Sequence, residues 1–211
     1  MILVAACAPA KGEMTLEEFV TGAPFHGTNG LKVGPDGNLY VASVLGGEIL
    51  IINPNTGDVI DRYGTDDGVV GPDDVVFGPD GSLYWTDILS GEVGRRAPDG
   101  TVTKQLIAPF VNPIAINAEG RLFVAQAFMG DGLFELDPEL IDPPRQILGT
   151  GDPTYHLNGF EFGPDGYLYA PRQQLADLVR IDVDTGEVVV ITDAISGGTA
   201  FNSHGDLFIA W

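Results

Sequence analysis

The hydrophobic positions of this chain come in short runs. Each is closed by Gly, Pro, Asn or Asp before a helical period can establish itself. Leu31-Lys32-Val33 reads as a short strand that meets Gly34-Pro35-Asp36-Gly37. Pro presets φ for a turn and Gly accepts positive φ, so the chain reverses there. Asn38 to Ala42, rich in aromatic and β-branched residues, reads as a second strand. Gly46-Gly47 turns into a third, Glu48–Ile52, and Asn55-Thr56-Gly57-Asp58 into a fourth, Val59–Tyr63. The same order recurs around Gly91 and Asp99-Gly100, and again around Asp184-Thr185-Gly186.

The unit repeats along the chain. Segments 29–43, 73–87, 112–126, 158–172 and 197–211 share an apolar strand, a Gly-Pro-Asp-Gly-like turn and an aromatic strand. Their turn glycines, Gly37, Gly81, Gly120, Gly166 and Gly205, are 44, 39, 46 and 39 residues apart. That spacing fits one four-stranded blade of a β-propeller. The expected fold is therefore all-β, a propeller with about four and a half blades in residues 27–211. Four repeats are complete and the fifth ends after its second strand. Because a ring normally hides its sheet edges by closing within one blade, this suggests part of a larger propeller, of six blades. A full-length form is expected to be monomeric.

Composition narrows the function classes. The 29 Gly and 15 Pro among 211 residues disfavour long helices, and 44% hydrophobic content suffices for a core. A net charge of −20 repels phosphate, which argues against a nucleic-acid partner. No stretch approaches the roughly 20 apolar residues that span a bilayer. The single cysteine excludes an internal disulfide and a Cys-rich zinc site. Val4-Ala5-Ala6-Cys7 matches the end of a bacterial lipoprotein signal, with Cys7 the lipidated residue. Residues 1–12 then form a signal remnant and tether, 13–26 a lead-in, and the protein lies outside the cytoplasm, touching a membrane only through that anchor. The competing reading is a free thiol in a frayed terminus.

In a propeller the first strand of each blade lines the central channel and starts at one mouth, the top. Eight residues before each turn glycine, that start falls on Asn29, Asp73, Asn112, Asn158 and Gly197. Asn and Asp commonly cap strand starts by bonding nearby backbone. Four such oxygens around one axis also suit a hard cation, calcium or another divalent ion. Asp74 can add charge. Zinc is disfavoured for want of a His or Cys cluster. His26 and His156 precede ring residues on top loops and read either as proton shuttles or as solvated loop histidines. His204 belongs to a turn at the opposite end. Second-strand ends supply the top rim: Ser43, Asp87, Gln126 and Arg172, candidates for substrate binding, with Arg172 suited to a carboxylate or polarised carbonyl. Phe25, Phe110 and Phe128 read as loop packing or as an apolar mouth.

Asn29-Gly30-Leu31 before the Gly-Pro-Asp-Gly turn, and Pro72-Asp73-Asp74 one repeat later, resemble the gluconolactonase–regucalcin (senescence marker protein) family. Paraoxonases and bacterial lactonases are its wider relatives. The resemblance covers about residues 27–211. It implies a six-bladed calcium-dependent propeller, with Asn29 and Asp73 as metal ligands and Asp73 also a base. Asn112 and Asn158 match the ring position but less of the motif. The chain departs from the family in having no Glu at the ring position of its five repeats, and the order of Asn and Asp blades is rotated.

Two functions follow from different classes. One is a calcium-dependent hydrolase of lactones or related esters. The other is a non-catalytic propeller of the NHL kind, binding a ligand or protein on its top face. The Gly-Pro-Asp-Gly turn occurs there too, and Leu83-Tyr84-Trp85-Thr86-Asp87 is similar to the YWTD propellers of receptor ectodomains.

Overall fold

The computed structural model describes residues 25–128, 130–149, 156–193 and 197–209. Cys7, with the proposed signal and tether, lies outside the described residues.

The first four repeats each fold as a four-stranded antiparallel meander. The first comprises β1 (Thr28–Val33), β2 (Leu39–Ser43), β3 (Glu48–Ile52) and β4 (Val59–Tyr63). The second comprises β5 (Pro72–Phe77), β6 (Leu83–Asp87), β7 (Glu92–Arg96) and β8 (Val102–Leu106). The third is β9 (Val111–Ile116), β10 (Leu122–Gln126), β11 (Gly132–Leu136) and β12 (Arg145–Leu148). The fourth is β13 (Glu161–Phe162), β14 (Leu168–Arg172), β15 (Asp177–Ile181) and β16 (Val188–Asp193). A hairpin of β17 (Thr199–Phe201) and β18 (Leu207–Ile209) follows. The only helical element among the described residues is one 3-10 turn, Thr65–Asp67, on the connection to the second blade.

The turn chemistry works as the sequence implies. Gly37, Gly81, Gly120, Gly166 and Gly205 all have φ between 80° and 84°. Asp36 and Asp80 use Oδ1 to accept the N–H two residues on, at 3.1 and 2.9 Å. Asn117 and Asn202, two turn positions earlier, use Oδ1 to accept the N–H four residues on, from Arg121 at 2.8 Å and Asp206 at 2.9 Å.

Successive blades stack face to face. Tyr40, Ala42, Ile49 and Ile51 of the first pack on Val75, Leu83 and Trp85 of the second. Val76, Tyr84 and Val93 of the second pack on Val111, Ile114, Leu122 and Val124 of the third. Ala115, Phe123, Ala125 and Leu133 of the third pack on Leu168, Ala170, Val179 and Ile181 of the fourth. Central strands are thus buried on both faces; all five residues of β6 are buried. Each fully buried aliphatic side chain contributes about 1.5–3 kcal/mol.

The first strands, β1, β5, β9, β13 and β17, neighbour one another in order around the channel. Each is the free edge of its sheet, so its outward N–H groups need other partners. At two seams a carboxylate from the preceding blade supplies one. Asp74 Oδ2 accepts from the Ile114 N–H at 3.2 Å, and Glu161 Oε2 from the Phe201 N–H at 2.8 Å. Gly30 permits the first of these approaches. A Cβ there would lie 2.3 Å from Asp74 Oδ1 and 2.6 Å from Asp74 Cα.

Candidate functional site

The top of each blade is built by a repeated clamp. The carbonyl of the residue two before the ring position accepts the N–H just after the second strand. Gly27 accepts from Val44 (2.9 Å), Gly71 from Ile88 (3.0 Å), Phe110 from Ala127 (3.0 Å), and His156, in a bond directed from Gln173, closes the fourth at 3.2 Å. Gly27, Phe110 and His156 are all left-handed here, at φ 64°, 61° and 58°. For Phe110 and His156 this conformation costs on the order of 1 kcal/mol. His156 is held in it partly by its N–H, which donates to Asp131 Oδ1 at 2.7 Å.

Two ring residues are joined directly. Asn29 Nδ2 donates to Asp73 Oδ1 at 2.9 Å, across 44 residues of sequence. Asn29 is exposed, whereas Asp73 is only 3% exposed. The other carboxylate oxygen, Asp73 Oδ2, is buried with no hydrogen-bond partner among the described residues. A buried carboxylate oxygen left without a donor is costly. Burial pushes the Asp73 carboxyl up to about 6; the Asn29 bond opposes this and the neighbouring Asp74 charge adds to it. Asn112 is buried and takes the same place on β9, its carbonyl accepting from Thr86 Oγ1 at 2.5 Å. Asn158 is half-buried just before β13, with its N–H on the Pro171 carbonyl. Among the described residues no three His, Cys, Asp or Glu groups converge as a metal cluster. A cation here would rest on Asn29 and Asp73 first, an amide-rich donor set with one charge.

Farther along the same strands lies a charged trio that the motif reading did not contain as a unit. Lys32 Nζ of the first blade reaches Glu161 Oε1 of the fourth at 3.0 Å, bridging the channel. Asp74 feels both. Burial pushes its carboxyl up to about 6, while the Ile114 N–H and the Lys32 ammonium pull it down and Glu161 raises it.

The rim residues are turned to structural work. Ser43 is fully buried and exchanges hydrogen bonds with the His26 backbone, accepting from its N–H at 3.1 Å and donating to its carbonyl at 3.0 Å. Asp87, also fully buried, accepts from the N–H groups of Val70, Gly71 and Ser90 at 2.9, 3.0 and 3.2 Å. Arg172 forms a buried two-pronged pair with Asp177, at 2.8 and 2.6 Å. Gln126 donates to the Pro109 carbonyl at 2.9 Å. These side chains fasten the top loops. A signal was present in one case. Arg172 and Asp177 face each other across the closing pair of the β14–β15 hairpin.

His26 stands exposed on the loop before β1. The His156 ring lies within 3.1–3.2 Å of Gln174 Nε2, with the Phe128 ring centroid 6.3 Å away. His204 is in the β17–β18 turn, at the other end. A cleft of about 410 Å³ between the first two blades, lined by Asp36, Tyr63 and Arg96 among others, opens at that other end, away from the ring residues.

Comparison with solved structures decides the architecture. Virginiamycin B lyase from Staphylococcus aureus superimposes with a TM-score of 0.72 at 16% identity, over 90% of this chain and 64% of its own. The chain is a β-propeller. A gluconolactonase from Xanthomonas campestris matches with a TM-score of 0.67 at 19% identity, over 87% of this chain and 68% of its own. The calcium-binding protein regucalcin from Agrobacterium tumefaciens matches at 0.66 and 14%, over 88% and 67%. This propeller chain therefore spans about two thirds of the length of these relatives. No family profile and no curated protein matches its sequence.

Proposed function

We propose that this propeller binds a divalent cation, calcium by preference, at its top mouth and hydrolyses lactones or related esters there. The single observation that carries the reading is Asp73 Oδ2, a buried carboxylate oxygen without a donor among the described residues, beside the exposed amide of Asn29. An oxygen in that state is matched by a hard cation, which prefers carboxylate and amide oxygens. The likeness to a gluconolactonase and to a calcium-binding regucalcin supports it.

Asn29 and Asp73 would hold the ion, with Asn112 and Asn158 next to them in the ring. When bound, such an ion polarises an ester carbonyl and stabilises the developing oxyanion. Asp73 would take a proton from water as the water oxygen joins the acyl carbon. The acyl carbon–oxygen bond of the ring or ester then breaks, and the proton passes to the departing alkoxide. His156 and His26, on the same lip, are second candidates for the shuttle. Asp73→Asn should abolish most lactone hydrolysis while the melting transition persists; undiminished turnover would refute the assignment.

One observation favours the second reading, a binding module without catalysis. Arg172, Asp87 and Ser43 are all committed to the fold. Calcium up to millimolar concentration discriminates between the two, since a specific ion raises the melting temperature by mass action. The absence of a shift favours the module. We also propose that Cys7 carries the lipid of an extracytoplasmic anchor; incorporation of labelled fatty acid, lost in Cys7→Ser, tests this.

A further inference from the structure

The two ends of the propeller differ in chemistry. At the bottom, the hairpin tips of the first four blades carry Asp36, Asp80, Glu119 and Asp165. At the top, the residue after each clamp is Leu45, Leu89 and Phe128 in the first three blades and Gln174 in the fourth. These apolar side chains are 80%, 63% and 51% exposed. A loop tip needs no large apolar residue for its own folding, and one at the same register in three consecutive blades is a pattern. The two leucines also pack over the glycines that open the clamps. A Cβ on Gly27 would lie 2.9 Å from Leu45 Cγ, and one on Gly71 2.5 Å from Leu89 Cγ. Gly27 and Gly71 are two residues before Asn29 and Asp73. Each leucine therefore lies against the backbone two residues before one of the joined ring residues, and the Phe128 ring centroid lies 6.3 Å from that of His156.

We propose that the arc of Leu45, Leu89 and Phe128 is the binding surface for an aliphatic substituent, so that the site takes a lactone or ester bearing an alkyl chain in preference to a polyhydroxylated one. The inference rests on the hydrolase reading for the chemistry at Asp73, and specifies what lies beside the reacting carbonyl. A hydroxylated substituent laid on Leu45 and Leu89 would lose water contacts without gaining hydrogen-bond partners. An alkyl chain gains by covering both side chains. The polar pole at His156 and Gln174 gives the arc a direction: the chain runs from the mouth over Leu89 and Leu45, away from the fourth blade.

The test uses the whole chain with calcium and a series of γ-lactones whose alkyl substituent lengthens from none to eight carbons, with gluconolactone as the hydroxylated comparison. Turnover gives KM, and calorimetry with the same compounds gives Kd. Each added methylene should tighten binding about two- to fourfold, the upper figure being full burial of a methylene, until the arc is covered. In Leu45→Ser/Leu89→Ser the dependence on chain length should flatten, with the melting temperature checked to exclude a folding defect. Gluconolactone binding as tightly as the eight-carbon lactone overturns the proposal, as does a chain-length dependence that survives in the double variant. Light scattering that shows a dimer dispersed by the same double variant also overturns it, since a second copy then covers the arc. If no compound is hydrolysed but the alkyl series binds with the predicted slope, the arc stands and the hydrolase reading falls.

Discussion

Asp73 should act against the stability of the fold that holds it, and replacement by Asn measures by how much. The carboxyl is 3% exposed, one oxygen bonded to Asn29 and the other unpartnered among the described residues. Its folded-state pKa stands near 6 against an ordinary 3.8. Because the folded protein holds this proton more tightly than the unfolded chain, the group's contribution to stability is complete below about pH 3.8. It is lost as pH rises through about 6. Two units correspond to about 3 kcal/mol. Asn at this position keeps an oxygen for Asn29 but buries an amide N–H₂ without an acceptor, which takes back about 1 kcal/mol. In chelator at pH 7.5, Asp73→Asn should therefore be about 2 kcal/mol more stable than the parent, or about 4–8 °C in a chain of this length. At pH 5 the advantage should shrink toward zero. Calcium should reverse the order: at a hundred times its Kd it adds about 2.7 kcal/mol to the parent and little to the variant. Melting curves in chelator and in calcium at both pH values give the four numbers, and the variant-minus-parent difference cancels the other carboxylates. A variant less stable than the parent in chelator at pH 7.5, or one stabilised equally by calcium, refutes the reasoning.

The remaining predictions concern the scaffold. Asp87→Ala removes the acceptor of three loop N–H groups and should cost about 3 kcal/mol in urea denaturation, a loss exceeding that of a typical exposed carboxylate. Lys32→Met takes the cation from between Glu161 and Asp74 and should cost about 1 kcal/mol at pH 8 and less at pH 5, since Asp74, no longer drawn down by the ammonium, holds its proton to higher pH; equal losses at both pH values count against the trio. Gly94→Ala would place a Cβ 2.1 Å from the Trp85 ring and should destabilise by about 1–3 kcal/mol, seen with a shift in tryptophan fluorescence.

Blade boundaries were legible because they rest on local chemistry. A Gly that must adopt positive φ and an Asp or Asn that caps its own turn leave the same mark at every repeat. The third and fourth strands of the first blade, Glu48–Ile52 and Val59–Tyr63, fall where the pattern put them. The ring was legible for a related reason: counting back from Gly37 and Gly81 gives the register of Asn29 and Asp73, which the fold then joins. What the pattern does not report is direction. Ser43, Asp87 and Arg172 are at the top, but a residue at a strand end can aim at the mouth or back into the loop that follows. That choice depends on which N–H groups the loop leaves unpaired. The channel trio was out of reach for a different reason. Lys32 and Glu161 are 129 residues apart, and no local pattern reports that two inner strands of opposite blades face each other across an axis.

The carboxylates that cap the edges of neighbouring blades make the blades directional parts. Asp74 serves the third blade and Glu161 the fifth, at successive depths, so each of these seams is keyed by a residue absent from the others. A duplicated or transplanted blade would carry the right hairpins and the right packing face yet leave an inner N–H facing an alkyl side chain. A ring grown from one repeating cassette has thereby become a sequence of non-interchangeable joints, and a shuffled order of blades should assemble poorly even though every blade is individually sound.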